Sequence, residues 1–79
     1  MPYALNGGAE MTSSEARRYY TEHLRSKNDR VADVDVYQIL DETIAAFVLV
    51  SKTTHVVWRE TYIVDDNRLH YETSKLLYP

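Results

Sequence analysis

The spacing of apolar residues changes once along the chain, and that change predicts a helix followed by a sheet. After Thr12, the residues Ala16, Tyr20, Leu24 and Lys27 recur at i, i+4, i+8 and i+11, with Tyr19 and His23 beside them. This spacing lines one inward stripe of an α-helix. Thr12 and Glu15 stand at the capping-box distance, so Thr12 is the expected N-cap. Arg17, Arg18, Glu22 and Arg25 fall mostly away from the stripe, and Asn28-Asp29 is the expected helix end.

From Val31 onward the period is two. Val34, Val36, Ile39 and Leu40 mark a first strand, with Asp41-Glu42 as its turn. A β-rich apolar run from Thr43 to Ser51 follows, and Lys52-Thr53 can close a tight hairpin into a third strand from His55 to Val64. Asp65-Asp66-Asn67-Arg68 predicts another turn, because Asp and Asn tolerate the backbone conformations that tight turns need. Leu69 to Tyr78 is the last strand. These connections are too short for parallel crossovers, so the expected fold is α+β, one N-terminal helix on a four-stranded antiparallel β-meander. Residues 12–79 form this single domain. Residues 1–11, which hold both glycines (Gly7 and Gly8), read as a flexible or irregular arm.

Two-residue hairpin loops set Phe47 opposite Trp58, Leu49 opposite Val56 and Tyr62 opposite Tyr71. One face then carries Val34, Val36, Phe47, Leu49, Val56, Trp58, Tyr62, Val64, Leu69, Tyr71 and Leu77, and the helix should lie across it. The other face carries Tyr37, Ile39, Ile44, Val48, Val50, Val57, Ile63 and Leu76, interrupted by Asp33, Asp35, His55, Arg59, Thr61, His70 and Glu72. A solvated antiparallel face should alternate to polar residues throughout, and Ile44-Ala46-Val48-Val50 does not. One helix cannot cover both faces, so the second surface is expected to meet another chain.

Composition narrows the chemistry. The chain has 79 residues and no cysteine. Disulfides, cysteine-based zinc sites and a thiol nucleophile are therefore excluded, and a reducing, cytoplasmic setting fits. The first residues lack the basic and apolar regions of a secretory signal. No run approaches the ~18 apolar residues that span a bilayer, so no membrane partner is expected. The net charge of −3 is uneven. Between Glu15 and Arg30, Arg17, Arg18, Arg25, Lys27 and Arg30 outnumber Glu15, Glu22 and Asp29, whereas the remainder is acidic.

No catalytic or ligand-binding motif stands out. His23, His55 and His70 are the imidazoles available, and the predicted register keeps His55 and His70 at opposite ends of the sheet, so no metal site is expected. Arg59, Thr61, Glu72 and Ser74 group on the second face. They read as an ion pair fixing interface register, or as a binding or acid–base site. Asp65-Asp66-Asn67 lacks the central Gly and closing Glu of a calcium loop. The tyrosines and Trp58 suit protein contacts, and could stack on single-stranded bases if the sheet were not acidic. The helix-then-meander outline resembles the cystatin-like and NTF2-like folds, in outline alone and without a shared motif.

The expected function is a non-enzymatic protein-interaction module. It is a homodimer or a partner-binding small acidic protein of the inhibitor or adaptor type, with no catalytic residue and no cofactor. Its expected interface is Tyr37, Ile39, Ile44, Val48, Val50, Val57, Arg59, Ile63, Glu72 and Leu76. One alternative is a small-ligand binder or enzyme with Arg59, His70 and Glu72 at a subunit cleft. Another is a nucleic-acid binder using the basic helix, which the acidic sheet disfavours.

Overall fold

The computed structural model describes residues 11–79, so nearly all of the expected arm lies outside the described residues. One helix, α1 (Ser13–His23), precedes four strands, β1 (Asp29–Ile39), β2 (Glu42–Ser51), β3 (Val57–Asp65) and β4 (Arg68–Tyr78). The strands form one antiparallel sheet in the order β1-β2-β3-β4. The predicted α+β meander is the observed architecture.

The helix starts where its cap dictates. Thr12 Oγ1 accepts from the Glu15 amide at 3.1 Å, and the Glu15 carboxylate accepts from the Thr12 amide at 2.8 Å. The helix is one turn shorter than expected, with Leu24 as C-cap. Lys27 consequently leaves the predicted stripe. The chain then turns at Ser26, whose carbonyl accepts from the Asp29 amide. Two arginines fasten α1 and this turn to β1. Arg17 Nη1 donates to the Val31 carbonyl at 3.3 Å, and Arg25 Nη1 donates to that of Asp29 at 3.1 Å.

Three connections set the register, and only one matches expectation. Asp66 and Asn67 both have positive φ (54° and 59°) and join Asp65 to Arg68, so Tyr62 opposes Tyr71 as predicted. The first turn is Leu40-Asp41, not Asp41-Glu42, because Ile39 pairs with Glu42. The second connection is Lys52–His55, not a two-residue turn. Ser51 donates to the Val56 carbonyl, and the Ser51 hydroxyl accepts from the Thr53 and Thr54 amides. Phe47 therefore opposes Glu60, and Leu49 opposes Trp58. The slip is two residues, so every side chain of β3 stays on its predicted face.

Bulges make the other corrections. An extra residue at Ala32 places Val31 on the helix side while keeping Asp33 and Asp35 on the other. An extra residue at Glu72 shifts β4, so Arg59 opposes Lys75 instead of Ser74. It also moves Leu76 opposite Trp58, on the helix side. Leu76 thus leaves the expected interface, and Glu72 occupies a bulge instead of a regular interface position.

The core lies between α1 and the sheet. Met11, Ala16, Tyr20, Ala45, Phe47, Leu49, Tyr62, Val64 and Leu69 are buried together, flanked by Tyr19, Val31, Val34, Val36 and Trp58. Tyr20 stacks on Phe47 at 4.6 Å between ring centroids, and Tyr62 meets both rings edge-on at 5.8 and 5.6 Å. These are the offset and T-shaped geometries aromatic rings favour.

Leu40 holds φ 55° at the first hairpin tip with 94% of its surface exposed, so it carries left-handed strain without any packing return. Leu40→Asn should raise stability by about 0.5–1 kcal/mol, since Asn tolerates this conformation. Urea unfolding checks this, and a lowered midpoint contradicts it.

Candidate functional site

Two regions gather polar side chains among apolar ones, and they differ in what their polar atoms still have to offer. The first is on the helix side. Glu60 sits on β3 between Trp58 and Tyr62, a polar residue on the face that packs against α1. Its Oε1 accepts from the Tyr20 hydroxyl at 2.9 Å and from the Tyr62 hydroxyl at 2.7 Å. Its Oε2 accepts from Trp58 Nε1 at 2.8 Å. The sequence reading missed Glu60, although aromatic donors two residues to either side of a half-buried acid were a usable signal.

Such bonds are charge-assisted, and they offset the cost of moving a carboxylate out of water. Burial, then the hydrogen bond to Glu60, pushes the phenols of Tyr20 and Tyr62 well above their ordinary ionisation range. The cluster thus holds protonated phenols against a carboxylate whose oxygens are both engaged. That arrangement ties α1 to β3.

A hollow of about 600 Å³ lies beside the start of α1, lined by Met11, Thr12, Glu15, Val36, Tyr37, Gln38 and Thr43. Its acid is already used. The Thr12 amide, and then the Thr12 hydroxyl, hold the Glu15 carboxyl below its usual range.

The second region is the sheet face turned away from α1, over which no described element lies. Register lays its residues out in cross-strand rows. Arg30, Val50, Val57 and Tyr78 form one row, and Asp33, Val48, Arg59 and Lys75 the next. Asp35, Ala46, Thr61 and Thr73 follow, then Tyr37, Ile44, Ile63 and His70. Ile44 is 5% exposed, whereas Ala46, Val48, Val50, Val57 and Ile63 are half-buried. Asp33, Asp35, Tyr37, Ala46, Val48, Arg59 and Thr61 line a depression of about 360 Å³.

Of the expected interface residues, Tyr37, Ile44, Val48, Val50, Val57, Arg59 and Ile63 lie in these rows, and Ile39 lies one position beyond Tyr37. The alternative constellation does not converge. Arg59 and Ile63, the partner of His70, are four residues apart on β3, roughly 13 Å along the strand. Glu72 stands apart at the bulge between them. Among the described residues no three His, Asp or Glu side chains converge to hold a metal ion. The basic residues are also divided. Arg17 and Arg25 are bonded to β1 carbonyls, while Arg30 belongs to the open sheet face.

The chain matches no protein-family model, no curated protein and no solved structure. No described helix is long and apolar enough to cross a membrane.

Two measurements test the role given to Glu60. Glu60→Gln keeps an oxygen for the tyrosines but sets an NH₂ group against the indole N–H. It should lower stability by about 1–3 kcal/mol in urea unfolding. The second is pH. Both phenols stay protonated in the folded chain but ionise near pH ~10 once unfolded. The unfolded state then binds fewer protons, so the phenols' contribution is fully present below that pH and falls above it. The expected slope is about 1.4 kcal/mol per pH unit for each phenol, halved in Tyr62→Phe. A flat profile between about pH 10 and 11 contradicts the assignment.

Proposed function

We propose that this protein is a non-enzymatic interaction module whose working surface is the open sheet face. One observation carries the reading. The central strands β2 and β3 present the half-buried Ala46, Val48, Val50, Val57 and Ile63, beside the buried Ile44, toward a side where no described element lies. Contiguous apolar surface of this kind, rimmed by charge, is the usual mark of an association site. The rim consists of Asp33 and Asp35 on β1 and Lys75 on β4, while Arg59 stands on β3 within the face. It supplies specificity and on-rate, and the apolar centre supplies most of the burial.

Nothing in this reading requires a reaction. The half-buried acid is engaged by three donors, and Arg59 and His70 stand two rows apart on the open face. The inhibitor or adaptor role is the form that such a module takes when its partner is a foreign protein.

The absence of native cysteine allows a clean test, because an introduced one is unique. Thr73→Cys, exposed on the open face, is labelled with a benzophenone and irradiated, alone or with extract of the source cells. It should give a cross-linked product that disappears when Val48→Glu is added. Ser14→Cys, exposed on the helix, should give none. Val48→Glu itself should leave the circular dichroism unchanged and shift stability by no more than about 1 kcal/mol. No product from position 73, or equal products from both positions, overturns the reading.

A further inference from the structure

We infer that the occupant of the open face is a second copy of this chain, related by a two-fold axis running along the strands between β2 and β3. The inference rests on reading that face as an association surface, and it adds the partner and its orientation. On β1 Asp33 and Asp35 outnumber Arg30, and Arg59 and Lys75 lie on β3 and β4, so the middle rows are acidic on one side and basic on the other. The backbones of Asp33 and Arg59 are separated by β2, roughly 10 Å apart, and both side chains border the same depression.

Face-to-face pairing has two simple symmetric solutions, and they differ in sign. An axis across the strands lays β1 over β1, setting Asp33 and Asp35 against the same acids of the second copy. Like charges so placed are costly. An axis along the strands lays β1 over β4 and β2 over β3, row on row. Asp33 then meets Lys75 of the second copy, and Arg59 comes within reach of the opposing Asp33 and Asp35. The same operation sets Val50 against Val57, Ile63 over the buried Ile44, and Val48 under the stem of the opposing Arg59. Tyr37 meets His70 at one end, and Arg30 meets Tyr78 at the other, a cation over an aromatic ring. Each contact occurs twice, as an isologous interface requires.

The area is sufficient. Four strands about 4.8 Å apart, with rows spanning about 30 Å, give roughly 570 Å² per copy. The total, roughly 1,100 Å², is just above the ~1,000 Å² floor of a biological interface and in the range of weak, reversible association. Aligned sheets pack with a rotation of about −30°, which keeps these rows within side-chain reach near the centre.

Complementary charge reversal tests the orientation. Asp33→Lys/Asp35→Lys makes both sides of the face basic, and Arg59→Glu/Lys75→Glu makes both acidic. All four residues are exposed, so the fold should stand. By analytical ultracentrifugation the natural chain should sediment at twice its 9.2 kDa mass. Each variant alone should fall to the single-chain mass, and an equimolar mixture should return to the double mass. Should either variant lose its folded circular dichroism, the natural dimer still decides the matter. Its dissociation constant should rise several-fold from low to high salt.

A natural chain that is monomeric, variants that stay dimeric alone, a mixture that stays monomeric, or a salt-independent dimer each overturn the inference. The two readings fail separately. A monomer that still gives the Val48-dependent cross-link with extract overturns the second copy and leaves the association surface standing. No cross-link at all overturns both.

Discussion

A single short helix cannot cover a long sheet, and that mismatch governs the molecule. Eleven residues of α-helix extend about 16 Å, whereas strands of nine to eleven residues extend about 30–37 Å. The helix therefore has to be placed where it covers most, over Ala45, Phe47, Leu49 and Tyr62. Coverage of the helix side is itself incomplete, since Tyr71 and Leu76 are exposed there. The far side has no share in the helix. A domain this small is marginal by surface-to-volume scaling, so the half-buried residues of the open face represent stabilisation that the isolated chain leaves unrealised. If association buries them, folding and assembly are linked by mass action.

Within that constraint Glu60 decides how the helix sits. Stacking of Tyr20 on Phe47 is non-directional enough to allow sliding, but the Tyr20 hydroxyl must also reach a carboxylate already shared with Tyr62 and Trp58. A half-buried acid is tolerable only when its lone pairs are occupied. Three donors from α1 and β3 meet that condition at one position of the helix. The capping box at Thr12 and the arginine bonds to β1 carbonyls then fix the remaining end and roll of α1.

Much of this was legible in sequence, for reasons that differ by element. The helix start was legible because Thr12 and Glu15 form a local device that needs no tertiary contact. The Asp66-Asn67 hairpin was legible because both residues tolerate positive φ. Leu40-Asp41 was not, since nothing in a leucine announces a left-handed tip. The β2–β3 connection was mistaken in length, yet the error was even, so Val48, Val57, Arg59 and Ile63 kept their face. The bulge at Glu72 was an odd error and moved Leu76 to the other side. Counting by two cannot see an inserted residue, because its cause lies in twist and edge geometry. Glu60 escaped for another reason. Its partners come partly from a helix forty residues away, and sequence spacing does not record that approach.

The bulges also bear on which surface is available for assembly. β1 and β4 are the two edges of the sheet, and each is an eleven-residue strand that could recruit a further strand. Both are interrupted. Ala32 breaks the ladder spacing of β1 just ahead of Asp33 and Asp35, and Glu72 breaks that of β4 between Tyr71 and Thr73. Bulges and edge charges are the devices by which sheets resist edge-to-edge growth. The same residues thus do two jobs. They blunt the edges, and through Asp33, Asp35 and Lys75 they give the open face its opposed charges. A sheet so arranged is guarded against open-ended edge pairing, while its face remains suited to a closed, sign-matched contact.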